Sequence, residues 1–254
     1  MTPLKQFVSK MTSCRKNYLI FCVPLRAAKI REMNKEIRTY YKIFFEQTVV
    51  KEQIMESVIC IDGVVGAGKT TLGEIVAEEM NLLFFKEPVD NNPLLGRFYH
   101  DQKRYSFPIQ IYFLNKRFKM LKEAATLAGC VMDRSIYGDV IFAKLLMESE
   151  LMSVEEYDLY EELLFNMLAH IERPKLMVYL DITVDNAIAR IVERGRDFEK
   201  AVNRNYWDSL GGHYSEYFKN YNLSELLVID VNGLDVRHST EDRNYVLNLI
   251  KDRL

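Results

Sequence analysis

The chain has 254 residues, which is long enough for one sizeable core with an appendage. Hydrophobic residues make up 48% of it and charged residues 28%, the composition of an ordinary globular protein, and the formal net charge is −2. The longest apolar run, residues 18–25, is less than half as long as a membrane-spanning helix requires, so we expect no membrane span.

The cysteine pattern argues against the usual metal and disulfide frameworks. The four cysteines lie far apart, without a C-x-x-C pair or a neighbouring histidine cluster: Cys14, Cys22, Cys60 and Cys130. Such spacing does not suit a zinc site or a disulfide scaffold. It favours a reducing compartment, for which we predict the cytoplasm.

The charge is distributed unevenly, which divides the chain into two regions. Residues 1–54 hold 11 Lys and Arg against 4 Glu, whereas residues 55–254 hold 23 basic and 32 acidic residues. The acidic excess of the second region argues against a nucleic-acid groove, and we expect no nucleic-acid partner. We predict one globular domain over residues 55–254, preceded by a basic extension that is poorly ordered and not catalytic.

Three interpretations of residues 1–54 stay open. A basic start with a short apolar centre at residues 18–23 resembles a weak signal or transit sequence, which leaves a targeting role open. A second interpretation is a basic helix over residues 26–45 that binds a partner or a membrane surface. The third is an upstream or non-native start, because Met55 immediately precedes the first predicted strand.

The first predicted strand leads into the most informative motif of the chain. Residues 58–61 are apolar and predict a buried strand, and a helical pattern follows over residues 70–80. Between them lies a G-x-x-x-x-G-K-T loop, whose backbone N–H groups can turn inward on phosphates. Its residues, which we name the P-loop, are Gly63, Val64, Val65, Gly66, Ala67, Gly68, Lys69, Thr70 and Thr71. We expect Lys69 to reach the phosphate oxygens of a nucleoside triphosphate and Thr70 to bind Mg²⁺.

Apolar strands and helical patterns then alternate to the end of the chain, which is typical of a parallel sheet covered by helices on both faces. The further predicted strands span residues 82–85, 129–132, 176–180 and 226–229. The further predicted helices span residues 107–127, 140–148, 153–171 and 185–193, and a closing helix begins near Ser239 or Thr240. We therefore predict an α/β fold with a five-stranded parallel sheet.

Charged residues follow several of these strands, at the sheet edge where such folds bind ligands. The P-loop, Glu87-Pro88-Val89, residues 133–139 and Arg194-Gly195-Arg196 with Glu199 together resemble the deoxynucleoside kinase family. The similarity extends over nearly all of residues 55–254. It is greatest to bacterial deoxyadenosine and deoxyguanosine kinases, at residues 87–93, 103–107 and 133–137. Residues 1–54 have no counterpart in it.

The resemblance implies the P-loop kinase fold with an arginine-rich lid, ATP as phosphate donor, Mg²⁺ as metal ion, and a homodimer. It makes Glu87 the base that accepts the proton of a nucleoside 5′-hydroxyl. Asp133 would bind Mg²⁺ with Thr70, and Arg134 would bridge Glu87, the 5′-oxygen and the transferred phosphoryl group. The lid arginines would be Arg190, Arg194 and Arg196. Cations at a helix end are common in any protein, but with a P-loop present we interpret these as a lid.

The resemblance also implies a small-molecule deoxynucleoside substrate and the residues that bind it. Gln110 would hydrogen-bond the base, together with Arg117 and Asp139, while Tyr99 and Glu199 would hold the sugar 3′-hydroxyl. Thymidine-preferring members typically have apolar residues at positions 117 and 139. The charged pair therefore favours deoxyadenosine first, then deoxyguanosine or deoxycytidine.

One departure from some animal members is the absence of a tryptophan after Glu-Pro-Val. Base stacking would then fall to another ring, for which Phe142 is the candidate.

Three alternatives compete with this interpretation. Thymidylate kinases share the P-loop, the Glu-Pro and the Asp-Arg pair, but here Asp90 would repel a nucleoside monophosphate. A non-catalytic subunit with the same fold should show broken motifs, and none is broken. A regulatory GTP-binding switch should show an N-K-x-D motif, which the sequence lacks.

Overall fold

The computed structural model describes residues 57–89, 92–127, 129–196, 199 and 202–254. The predictions for residues 1–54 and for Asp90 lie outside these residues. Among the described residues, no helix combines the length and the apolar character that crossing a bilayer demands.

Strands and helices alternate along the chain as predicted. The strands are β1 (Ser57–Asp62), β2 (Leu83–Phe85), β3 (Gly129–Asp133), β4 (Leu176–Asp181) and β5 (Glu225–Asp230). The helices are α1 (Lys69–Met80), α2 (Leu95–His100), α3 (Gln102–Ala124), α4 (Asp139–Glu148), α5 (Val154–Leu168), α6 (Val184–Arg194), α7 (Arg204–Lys219) and α8 (Thr240–Lys251).

The five strands form one parallel sheet in the order β2-β3-β1-β4-β5, which confirms the predicted fold class. Every residue of β3 is buried, and Ile59 and Ile61 of β1 are wholly inaccessible. Strands buried on both faces carry continuous apolar runs because neither face meets water. The central position of β1 puts the P-loop at the middle of the sheet edge, between the ends of β3 and β4.

Two helices, α2 and α7, were not predicted from the sequence. Helix α7 contains Gly211 and Gly212, which weaken the local helical signal, and begins after Asn203, whose side chain accepts from the N–H of Asn205. A Cβ on Gly211 would lie 2.9 Å from Val184 Cγ2. Tertiary packing of α7 against α6 therefore overrides local propensity.

The long helix α3 starts five residues before its predicted start. Asp101 caps it by accepting a hydrogen bond from the N–H of Arg104 over 3.3 Å. Pro108 then lies inside the helix instead of near its first turn, where proline is best tolerated. The early start brings Gln102–Ala124 into one element that carries both Gln110 and Arg117.

Candidate active site

The P-loop curves around the side chain of its own lysine, Lys69. Gly66 and Gly68 have φ angles of 88° and 97°, a left-handed conformation that glycine adopts without strain. A Cβ on Gly66 would lie 2.5 Å from the carbonyl oxygen of Ala187, so the loop can pack against α6 only with glycine there. The Lys69 ammonium donates to the carbonyl oxygens of Gly63 and Val64 over 2.9 Å and 2.8 Å. Burial, and then the charge of Arg134, lowers the pKa of Lys69 to about 8.

Thr70, in the first turn of α1, contacts Asp133, the last residue of β3. The Thr70 hydroxyl donates to Oδ2 of Asp133 over 2.5 Å, and Oδ1 of Asp133 is buried without a hydrogen-bond partner. Burial, and then the neighbouring Glu87 charge, raises the pKa of Asp133. A hydroxyl and a carboxylate are hard oxygen ligands, and the unpartnered Oδ1 of Asp133 keeps its lone pairs for a cation. The donor set therefore fits Mg²⁺.

Glu87 lies between two buried arginines. Nε of Arg134 and Nη2 of Arg117 donate to the same oxygen, Oε1 of Glu87, over 2.8 Å and 2.7 Å. Burial alone would raise the pKa of Glu87, but the two guanidinium charges outweigh it and lower that pKa to about 2. The carboxylate is thus ionised throughout the physiological pH range, and the two arginines fix its direction.

Arg134 is held by both its backbone and its side chain. Its φ of 75° is unusual for a residue with a Cβ, and its N–H donates to the carbonyl oxygen of Ile61 over 2.9 Å. The guanidinium packs on the Phe142 ring, 4.9 Å from the ring centre, and donates from Nη1 to the hydroxyl of Tyr214. Strained backbone held in place by its surroundings is common at catalytic sites.

Arg117 and Asp139 form a second ion pair deeper in the site. Nη1 of Arg117 lies 2.5 Å from Oδ1 of Asp139, and both side chains are almost completely buried. Burial raises the pKa of Asp139 to about 6, against the opposing charge of Arg117. Nε of Arg117 and Oδ2 of Asp139 have no hydrogen-bond partner, so the pair offers a ligand one donor and one acceptor. Gln110, about two turns from Arg117 on the same face of α3, is also buried.

Tyr99 and the arginine-rich segment close the opposite side. Glu199 is buried and pairs with Arg194 over 2.5 Å and with Arg196 over 3.5 Å. Burial, and then the neighbouring Tyr206, raises the pKa of Tyr99, so its hydroxyl stays protonated. Arg190 lies beneath the P-loop and donates to the carbonyl oxygens of Ala67, Val231 and Leu234. Its guanidinium is therefore tied to backbone, whereas those of Arg194 and Arg196 are about one-third exposed.

One cavity of about 860 Å³ contains most of the predicted residues. Its walls include P-loop residues together with all predicted acidic, arginine, glutamine and tyrosine residues: Glu87, Tyr99, Gln110, Arg117, Asp133, Arg134, Asp139, Arg190, Arg194, Arg196 and Glu199. Gly63, Val64 and Ala67 belong to the P-loop but do not line the cavity. Phe142 lines it as well; base stacking by its ring stays a prediction.

One wall of this cavity was not predicted from the sequence. The loop after β5 contributes Leu234, Asp235, Val236, Arg237 and His238. Its shape comes from Asp235, which accepts hydrogen bonds from the N–H groups of Arg237 and His238. The loop follows the carboxyl end of β5, which pairs with β4, and β4 pairs with the P-loop strand β1. Its place at that edge of the sheet was the signal that could have identified it.

Comparison with known proteins gives one consistent result. The family model "Deoxynucleoside kinase" matches residues 59–254. A deoxyguanosine kinase of Lactobacillus johnsonii is 38% identical over 207 residues, covering 78% of this chain and 92% of the relative. A deoxyadenosine/deoxycytidine kinase of Bacillus subtilis is 36% identical over 200 residues, covering 76% and 90%. A solved structure of M. mycoides deoxyadenosine kinase, with the products dCMP and a flexible dCDP bound, superposes with a TM-score of 0.70 at 32% identity. That superposition covers 77% of this chain and 99% of the other.

Proposed function

The chain belongs to the deoxynucleoside kinase family, and from this premise we propose that it transfers the γ-phosphoryl group of ATP to the 5′-hydroxyl of a 2′-deoxynucleoside. The observation that carries the proposal is that the P-loop and the Glu87–Arg134 pair face the same cavity. A donor phosphate on the P-loop and an alcohol at Glu87 would therefore be close enough to react, which is the main requirement of phosphoryl transfer. The products are ADP and a deoxynucleoside 5′-monophosphate.

Glu87 acts as the general base in this mechanism. The 5′-hydroxyl hydrogen-bonds the carboxylate, its oxygen attacks the γ-phosphorus, and its proton passes to Glu87 as the P–O bond forms. Arg134 donates to Glu87 and is positioned to neutralise charge on the transferred phosphoryl group. A low pKa makes Glu87 a weak base, which suits a loose transition state in which the proton leaves late.

Thr70 and Asp133 would hold Mg²⁺, which supplies positive charge to the β- and γ-phosphate oxygens when it is bound. Lys69 supplies a further charge from the P-loop, after exchanging its contacts with loop carbonyls for phosphate oxygens. Arg194 and Arg196 form the proposed cationic lid over the donor, and Arg190, held by backbone carbonyls beneath the P-loop, adds its charge from below instead of from the lid.

The base preference that we propose is deoxyadenosine, then deoxyguanosine or deoxycytidine. Arg117, Asp139 and Gln110 provide buried donors and acceptors that suit a purine or cytosine edge. The names of the relatives, which include deoxyguanosine and deoxyadenosine/deoxycytidine kinases, agree with this class of substrate. Thymine offers no exocyclic amino group, so Oδ2 of Asp139 would stay without a hydrogen-bond donor, while Oδ1 keeps its contact with Arg117.

A kinase assay across the four deoxynucleosides tests the proposal, run on the full chain and on a chain that begins at Met55. We expect phosphorylation of the three amino-bearing bases, thymidine as the poorest substrate, and equal turnover by the two chains. Including dTMP as an acceptor tests the thymidylate kinase alternative. Faster phosphorylation of dTMP than of deoxyadenosine would refute our assignment.

A homodimer is also part of the proposal. Leu159 and Phe165 are 56% and 61% exposed on α5, about 120° apart around the helix axis, on the exposed side of the helix that also carries Glu155 and Glu162. Large apolar side chains exposed together are typical of an interface. Light scattering of the full chain should give twice the monomer mass, and Phe165→Glu should reduce it. We further propose that the enzyme acts in the cytoplasm, in keeping with its widely separated cysteines, and has no nucleic-acid partner, in keeping with the acidic excess of residues 55–254.

A further inference from the structure

Asp62 is a completely buried carboxylate to which the mechanism above gives no role. It ends β1, immediately before the P-loop. Oδ1 accepts from the N–H of Gly63 over 2.8 Å, and Oδ2 accepts from the N–H of Ser135 over 3.1 Å. One carboxylate therefore joins the first residue of the P-loop to the residue that follows Arg134.

Tyr214 on α7 extends this connection to the Arg134 side chain. Its hydroxyl donates to Oδ1 of Asp62 over 3.3 Å and accepts from Nη1 of Arg134. Nη1 of Arg134 also lies 3.8 Å from Oδ1 of Asp62. The Tyr214 ring is fully buried and packs edge-on against Phe142, so its hydroxyl has a fixed position.

Arg134 is consequently anchored at both ends of its guanidinium. Nε contacts Glu87 on the substrate side, and Nη1 contacts Tyr214 and Asp62 on the opposite side. Because the guanidinium is a rigid plane, holding Nη1 also determines where Nε points. We propose that Asp62 and Tyr214 are positioning residues, which hold the Arg134 guanidinium against Glu87 and fix its position relative to the P-loop.

Gly138 supports this assignment because it leaves the space that Asp62 occupies. A Cβ at Gly138 would lie 2.4 Å from Oδ2 of Asp62, closer than any real contact of that kind. Gly138, the residue before α4, thus leaves free the space in which the Asp62 carboxylate accepts the hydrogen bond from the N–H of Ser135. The inference rests on the proposed function, since it concerns the same reaction.

The test compares two tyrosine variants of the same helix in the full chain. Tyr214→Phe removes the hydroxyl that contacts Arg134, and Tyr217→Phe removes a hydroxyl that donates to the carbonyl oxygen of Tyr137 over 2.7 Å. Each substitution deletes one hydroxyl and keeps the ring, so both should lower the melting temperature similarly. We expect kcat to fall about ten- to a hundredfold in Tyr214→Phe and less than twofold in Tyr217→Phe, with the KM for ATP unchanged in both.

The Arg134→Lys background distinguishes positioning from general damage. Lysine has no planar guanidinium for Tyr214 to orient, so Tyr214→Phe should change kcat less than threefold in the Arg134→Lys background. An equal effect of Tyr214→Phe in both backgrounds would overturn the proposal. So would a kcat for Tyr214→Phe that matches that of Tyr217→Phe.

A second readout does not depend on turnover. In ¹⁵N spectra, the Nε–H signal of Arg134 is identified by its loss in Arg134→Lys. We expect it to shift and to exchange faster with water in Tyr214→Phe but not in Tyr217→Phe; an unchanged signal contradicts the positioning role. If the wild-type chain phosphorylated no deoxynucleoside, the proposed function would fail, and this signal would still decide whether Tyr214 orients Arg134.

Discussion

Thr70 and Asp133 are 63 positions apart in sequence, yet the hydroxyl of one donates to the carboxylate of the other over 2.5 Å. The contact exists because β1 and β3 are paired in parallel, with Ile61 beside Asp133, so that the P-loop helix starts next to the end of β3. The two oxygen groups that we propose as ligands for Mg²⁺ are thereby brought together without any local sequence motif that contains both. This relationship leads to the first prediction.

Replacing Thr70 by valine should weaken the use of Mg²⁺. Valine keeps the shape of threonine but has no hydroxyl, so the metal loses one oxygen ligand, whereas Thr70→Ser keeps it. We expect Thr70→Val to raise the Mg²⁺ concentration needed for half-maximal activity by about tenfold or more, and Thr70→Ser to stay within about threefold of wild type. Initial rates over a Mg²⁺ titration at saturating ATP measure this. Equal Mg²⁺ requirements in the two variants would show that the hydroxyl is not a ligand.

Replacing Glu87 by glutamine should remove the base and leave the donor site intact. We expect kcat to fall about 10²–10⁴-fold, because the amide cannot accept the 5′-hydroxyl proton. The affinity for ATP, measured by calorimetry, should change little, since the ion pairs of Glu87 are with Arg117 and Arg134, whereas Lys69 of the P-loop donates to loop carbonyl oxygens. Glu123→Gln, at an exposed position whose carboxylate pairs with Lys119, is the control and should keep full activity. Near-normal turnover in Glu87→Gln would exclude the assignment.

The positions of the strands along the chain and their charged ends could be predicted from the sequence because both are local signals. Continuous apolar runs such as residues 176–180 identify buried parallel strands, and a charge such as Glu87 just after a strand lies at the sheet edge where ligands bind. The roles of Gln110 and Glu199 came from family resemblance, since a lone polar residue on a helix has no local signature. Their burial in the cavity agrees with those roles and does not test them.

Asp62 and Tyr214 could not be predicted, for a physical reason. Asp62 reads as the ordinary polar end of a strand, and only the pairing of β1 with β3 shows that its carboxylate reaches Ser135. Tyr214 lies on α7, a helix whose two internal glycines hide its helical pattern. Contacts between segments that are distant in sequence depend on the whole fold, so no local pattern indicates them.

Removing the charge of Arg194 should slow the chemical step more than it weakens binding. Its guanidinium pairs with Glu199 over 2.5 Å at the cavity wall, where it can also contact the donor phosphates. We expect Arg194→Ala to lower kcat about 10²–10³-fold, the usual cost of losing one donor to a developing charge. Arg204→Ala provides the control, because Arg204 is exposed and pairs only at the surface with Asp185 and Asp208. A decrease in kcat of less than threefold for Arg194→Ala would exclude it from the lid.

The raised pKa of Asp139 predicts opposite effects of pH on activity and on stability. Burial, opposed by Arg117, raises this pKa to about 6 from its ordinary value of 3.8. Below pH 6 the folded protein therefore protonates Asp139, and the acceptor for a base amino group is lost. We expect kcat/KM for deoxyadenosine to decline with a midpoint near pH 6 in the wild type, while Glu87 stays ionised because its pKa is about 2.

The raised pKa of Asp139 also makes the folded protein more stable at low pH than at high pH. Between about pH 4 and pH 6 the folded chain binds a proton that the unfolded chain has released, so the contribution of Asp139 to stability is present at low pH and is lost as pH rises. The full difference is about 3 kcal/mol by the relation between pKa and free energy. The side chain in Asp139→Asn does not titrate. Its free energy of unfolding, measured relative to that of wild type, should therefore rise by up to about 3 kcal/mol from pH 4.5 to pH 7. Urea denaturation at both pH values measures this, with the exposed Asp252→Asn as the control that should show no change. A constant difference between wild type and Asp139→Asn would mean that the carboxylate is already ionised at pH 4.5, and the pH-dependent loss of activity would then need another group.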